Sequence, residues 1–438
     1  MPKTLTFRRG LSSVLLWSII SAAFIGPGTV TTAAQAGASY QLQLLWALVF
    51  STFATIILQE AAARLTLASG KSLGHIIAEQ YRGKFGRGLR IGLFLAVAFG
   101  CAAYQAGNLL GAASGLELLI PLPRYALLLV VGLAGSLVLW QGSIRAIARI
   151  LALVVAIMGL AFLSIAFLQK DYPLGSVMLQ AVQPGIPEGG LLLVVGLVGT
   201  TIVPYNLFLA SGISQGQEIG EMRWGIALAV AIGGLISMAI LITGTQVSGS
   251  FSFEALSTAM GEKLGSSAPL LFAMGLFAAG ISSAITAPLA SAITARALLG
   301  ERSGQWGTAS RKFRLTWGGV MAVGLFFGLL DVKPIPAIIA AQAINGMLLP
   351  VVAVFLILAA NDQQLIPEAY RNGLRSNILS LAIVGIACFL GLNSTGKALS
   401  KIAPGPSDIF YLSGSAATSL LIVGWLAWRI FRKRNITI

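Results

Sequence analysis

The chain has 438 residues, 56% of them hydrophobic and 10% charged, with 29 Lys and Arg against 14 Asp and Glu and a formal net charge of +15. Soluble domains carry about 25% charged residues, so this composition excludes a soluble globular protein and indicates a polytopic helical membrane protein. One histidine and two cysteines leave little for a zinc or iron centre, and Cys101 and Cys388 fall in apolar runs where packing is their expected role.

In chain order the apolar runs predict twelve spans, at 12–37, 43–67, 89–119, 125–142, 147–169, 189–213, 224–246, 267–296, 315–330, 334–359, 376–393 and 409–430. The first run is long and lacks a small-residue cleavage site followed by a soluble domain, so it reads as a span rather than a cleaved signal. An even number of spans puts both termini on one side. Lys3, Arg8 and Arg9 precede the first span, and Arg429, Arg432, Lys433 and Arg434 close the last. Most other Lys and Arg fall in loops on that same side, which makes it the cytoplasmic face of a bacterial inner membrane. The positive charge is then topology and not a nucleic-acid footprint. Among the acids Glu60 lies well inside a span, four residues before Arg64, the spacing of a structural helix salt bridge. The longest loops, 68–88, 170–188 and 246–266, hold about 20 residues each and no soluble domain. No nucleophile–base constellation is present, so an enzyme is not expected, and no cofactor is implied.

Two spans are interrupted. The first breaks at "IGPGT" (25–29) and the sixth at "GTTIVPYN" (199–206). Breaks five spans apart are the signature of an inverted-repeat transporter, with a first repeat at 12–169, an inverted second at 189–359, and two added helices at 376–430. Each break frees carbonyls where one half-helix ends and amides, with a positive dipole end, where the next begins. Unpaired backbone groups cost several kcal/mol in lipid, about as much as any polar group there, so they must face a cavity or a ligand.

The residues around these breaks resemble a known family. "GPGTVTTAAQAGASYQLQLLW" (26–46), "VGTTIVPYNLFLASG" (198–212) and "AQAINGMLLPVVAVFLILAAND" (341–362) are similar to the first, sixth and tenth helices of the NRAMP metal-ion transporters, in register over about 12–365. The resemblance implies an all-α, five-plus-five inverted repeat with broken helices 1 and 6, as in the amino acid–polyamine–organocation transporters, acting as a monomer by alternating access. It also implies where a family metal site would fall. The carboxylate position maps to Gly26, the amide to Thr29, the thioether to Val203 and the motif histidine to Tyr205. The acids that relay protons in the third helix map, within "AYQAGNLLGAASG" (103–115), to Gln105 and Asn108.

All of these positions are neutral here, and the expectation drawn from them is a small-anion importer, bicarbonate above all. The substrate site is expected at Gly26, Gly28, Thr29 and Val30 on the first helix, Thr200, Thr201, Tyr205 and Asn206 on the sixth, and Gln342 on the tenth. Phosphate or sulfate would call for Arg, and none lies near a break. An anion entering a negative cell needs a driving ion. Sodium is expected between carbonyls at Phe24 and Gly26 and the hydroxyls of Ser282, Ser283 and Thr286 in "GISSAITAPLAS" (280–291). The alternatives are a divalent cation such as Mg or Mn, carried through its water shell, and a neutral small solute such as an amino acid.

Overall fold

The computed structural model describes residues 25–141, 145–168, 171–214, 216–300, 306–330, 332–400 and 408–434, and these are helical with no β-strand among them. Gly26 is extended (φ −104°, ψ −176°), and Pro27 opens α1 (Pro27–Tyr40). Proline suits a first helical position because its φ is preset and no amide hydrogen is lost. A 3-10 turn at Gln41–Leu44 leads to α2 (Leu45–Ser69), which stops at Gly70 in the left-handed region (φ 69°). Then come α3 (Leu73–Gln80), α4 (Gly83–Glu117), α5 (Arg124–Gln141), α6 (Arg145–Leu168) and α7 (Leu174–Val182).

The second broken stretch follows as α8 (Leu191–Thr201) and α9 (Pro204–Ile213). The remainder is α10 (Ile219–Gly244), α11 (Phe253–Leu264), α12 (Ala268–Leu299), α13 (Arg311–Gly328), α14 (Pro334–Ala360), α15 (Leu374–Ser400) and α16 (Asp408–Arg434). Each predicted span after the first has its helix. The part of the first span before Ile25, including Phe24, lies outside the described residues.

The three long loops contain helices that span prediction passes over. α3, α7 and α11 are too short to cross a bilayer. α11 forms because Ser252 caps it, its Oγ accepting from the Ala255 amide at 3.0 Å, while Phe253, Leu256 and Met260 are buried on one face.

α1, α8 and α9 sit at the centre and are buried almost throughout. α4 and α12 cross beside them at backbone contact. A Cβ on Gly280 would lie 2.6 Å from the Ala112 nitrogen, and one on Gly115 would lie 2.6 Å from the Phe277 nitrogen. α8 and α14 meet as closely at Gly199 and Gly346. Small residues allow this in a membrane, where dispersion and not water exclusion holds helices together. Large apolar side chains point outward instead, among them Phe99, Leu133, Trp140, Phe167 and Leu420. That inside-out arrangement suits a lipid solvent.

Candidate functional site

Gly26 before Pro27 and Val203 before Pro204 are extended residues (ψ −176° and 125°), and a proline opens the helix that follows each. A residue before proline avoids the helical region, so the chain must straighten at these points. Ile202 closes α8, its amide donating to the Val198 carbonyl at 2.8 Å. The first amides of α1 and α9 therefore have no partner one turn earlier in their own helices, and the positive end of each helix dipole lies at its break.

Side chains from four helices converge there. Thr29 on α1 and Thr200 on α8 share a hydrogen bond of 2.8 Å, which ties the two breaks together. Gln342 on α14 reaches across so closely that a Cβ on Gly28 would lie 1.8 Å from its Nε2. Neither polar atom of Gln342 has a hydrogen-bond partner among the described residues, and the same holds for both amide atoms of Asn206 and the hydroxyl of Tyr205. All three residues are buried to 1% exposure or less. A buried amide without partners costs about 1–3 kcal/mol per group, so such a cluster is where a polar solute would be held.

Val30 is buried, and its amide is used by the Gly26 carbonyl at 3.1 Å. The Thr201 hydroxyl turns back onto its own helix, donating to the Leu197 carbonyl at 3.0 Å, while the Thr201 carbonyl accepts from Thr55 Oγ1 at 3.3 Å. Both Thr201 oxygens are therefore engaged within the protein, the hydroxyl by its own helix and the carbonyl by α2.

A second group forms on the other side of Gly26. A Cβ there would lie 2.8 Å from Ser283 Oγ and 3.8 Å from Asn108 Oδ1. Ser283 Oγ and Asn108 Nδ2 are buried without partners among the described residues. Ser282 is only half-buried, and Thr286 donates to the Ser282 carbonyl at 2.6 Å. Ser283 alone of the three hydroxyls faces the first break.

Three residues that sequence reasoning passes over or reads differently complete the surroundings. Tyr104 on α4 donates to the Gly199 carbonyl at 3.1 Å and meets Tyr205 edge-on at 5.9 Å between ring centres. Asn345, one turn beyond Gln342, donates to the Gly100 and Ala341 carbonyls at 3.1 Å. Gln105 donates to the Ala284 carbonyl at 3.1 Å, fixing α4 to α12. The available signal was polarity inside an apolar run, but nothing local says which way such a residue faces.

The described residues hold no group of three or more His, Cys, Asp or Glu side chains able to bind a metal. The site offers neutral hydroxyl and amide groups, which present oxygens to a cation and hydrogens to an anion with equal ease.

A family model described as natural resistance-associated macrophage protein-like matches residues 18–396. A divalent metal cation transporter MntH of Verminephrobacter eiseniae is 27% identical over 410 residues, covering 88% of this chain and 90% of that protein. A natural resistance-associated macrophage protein 2 homolog of Dictyostelium discoideum is 25% identical over 445 residues, covering 95% of this chain and 68% of that protein. In structure the chain is similar to a manganese transporter of Eremococcus coleocola (TM-score 0.74, 21% identity, 100% and 98% of the two chains). It is also similar to a nucleobase-cation-symport-1 family transporter (TM-score 0.56, 18% identity, 95% and 93%). These likenesses establish the broken-helix transporter fold. The names of the relatives overturn the expected anion, bicarbonate included: proteins aligned over nearly the whole chain are named for divalent metal cations. The physical reason is the one just given. Loss of a carboxylate lowers the charge of a site but does not reverse it, because neutral oxygens still serve a cation.

Proposed function

The chain belongs to the natural resistance-associated macrophage protein-like family of transporters, and from that premise we propose that it carries a divalent metal cation across the bacterial inner membrane by alternating access. It does so as a monomer, with both termini cytoplasmic and the repeats at 12–169 and 189–359. The observation that carries the reading is the set of buried, unpartnered oxygens beside the two breaks, on Gln342 packed against Gly28 and on Tyr205 and Asn206 in the first turn of α9. Such a site cannot strip a divalent ion of all its water. A small hard cation keeps several waters when protein ligands are few and neutral, and hydroxyl, amide and carbonyl oxygens can hold that shell. With Val203 where the resemblance places a thioether, no soft ligand remains, so Mg and Mn should be distinguished poorly.

Coupling is proposed to use sodium beside Gly26, held by Ser283 with the Asn108 side-chain oxygen, a narrower set than the hydroxyl trio expected from sequence. A cation at that position would satisfy Ser283 Oγ, which has no hydrogen-bond partner among the described residues.

The test is uptake by the purified protein in liposomes, with Mn and Mg measured in parallel, with and without an inward sodium gradient. Saturable uptake of either ion supports the reading. If a folded, monodisperse preparation moves neither ion under a steep inward gradient, the cation reading is overturned. A neutral polar solute, favoured by the lack of charge around Gln342, then takes its place.

A further inference from the structure

The site is sealed in this state, since Thr29, Thr200, Tyr205, Asn206 and Gln342 are all buried. A carrier must part helices to uncover it. On the face that bears the basic loops, a buried arginine on α2 bonds across to the segment between α14 and α15.

Arg64, near the end of α2, is 3% exposed. Its Nε donates to both oxygens of Glu60, at 2.9 and 3.1 Å. Its two terminal nitrogens donate to the Tyr370 carbonyl and to Asn372 Oδ1. Glu60 also accepts from Arg223 Nε, near the start of α10, at 2.8 Å. Asn372 donates to Asn377 Oδ1 at 3.1 Å, and Asn377 exchanges amide hydrogen bonds of 2.9 Å with Asn361. Arg371 stiffens the same stretch by donating to the Ile366 and Gln363 carbonyls. Segment 361–373, between α14 and α15, is thereby a braced strap fastened to α2.

The same end of α2 also grips α9, the half-helix that begins at the site. Thr66 Oγ1 and Ser211 Oγ are 2.7 Å apart, Ser211 Oγ accepts from the Leu73 amide at 2.6 Å, and Ser214 donates to the Ala63 carbonyl at 3.3 Å. α2 and α9 are thus joined as one body at this face, and the Arg64 bonds cross the seam between that body and the strap.

We propose that Arg64, with Tyr370 and Asn372, is the latch of the gate on this face, made while the site is closed to it and broken when it opens. A guanidinium buried with four hydrogen bonds cannot lose half of them in a dry environment without a large penalty. The seam therefore stays shut until water reaches Arg64, and the strength of the two strap bonds sets the balance between closed and open states. The inference rests on alternating exposure of the site and not on which solute it carries.

Asn372 allows a test of opposite signs. In a full-length Cys101→Ala/Cys388→Ala background, a reporter cysteine replaces the buried Ala210 on α9. Its labelling by an impermeant maleimide is timed in vesicles that expose the basic face. N372A removes one charge-assisted bond and should speed labelling on the order of tenfold. R64K, which lacks the forked geometry, should do the same. N372D places a carboxylate against Arg64 and should slow labelling below the parent rate. Melting temperature and elution profile of each variant report folding separately. Unchanged labelling in both Asn372 variants, or a shift in the same direction for the two, would overturn the latch.

Discussion

Gln342 holds its amide in the space that any side chain on residue 28 would occupy, so the two positions are complementary. Gly28→Ala should push Gln342 aside, and Gln342→Ala should remove its oxygen outright. Each is expected to weaken apparent cation affinity on the order of tenfold or more, the value of one good polar contact in a buried site. Concentration dependence of uptake in liposomes checks both. Ser283→Ala should abolish any sodium stimulation while leaving sodium-free uptake in place, because its hydroxyl lies beside Gly26 and takes no part in the Thr29–Thr200 bridge. Equal loss with and without sodium would remove Ser283 from coupling. Thr29, Tyr205, Asn206 and Gln342 were legible in the sequence because breaks and motifs mark them. Tyr104 and Asn345 were not. They lie inside unbroken helices and meet partners 95 and 245 residues away in the chain, which no periodicity encodes.

At the scale of elements, the breaks were readable because Gly-Pro and Val-Pro punctuate otherwise continuous apolar runs. The short helices α3, α7 and α11 were not, since a hydropathy window sees only what is long enough to cross a bilayer. The placement of Gln342 depends on how closely α8 approaches α14. A Cβ on Gly199 would lie 2.1 Å from the Gln342 carbonyl oxygen and 2.4 Å from the Gly346 nitrogen, backbone atoms that cannot swing away. Gly199→Val should therefore cost about 1–3 kcal/mol or more through overpacking. Gly318→Ala, where nothing lies within 4 Å, should be neutral or gain up to about 1 kcal/mol from helix propensity. Thermal unfolding in detergent separates the two, and comparable losses would show that the tight crossing is dispensable.

For the whole molecule, selectivity is the property most open to change. Val203→Met would put a thioether at the second break, where Val203 is buried and extended. That variant should raise the preference for Mn over Mg several-fold, roughly tenfold per 1.4 kcal/mol of added soft-ligand interaction. Competition of Mg against Mn uptake measures it, and an unchanged ratio would place the ion away from residue 203. By itself the sequence determined the class, the order of the spans, the two broken helices and the family. Each of these follows from local composition, from proline and glycine at fixed offsets, or from runs of residues in register. Only the tertiary structure decided that Thr29 meets Thr200, that Ser283 rather than Thr286 faces Gly26, and that Arg64 fastens a strap 306 residues further along the chain. Those contacts join residues far apart in the chain, and which of two equally polar groups finds the partner depends on helix rotation and approach. The sign of the cargo was legible from neither the missing carboxylate nor the neutral groups left behind, because hydroxyls and amides serve both charges.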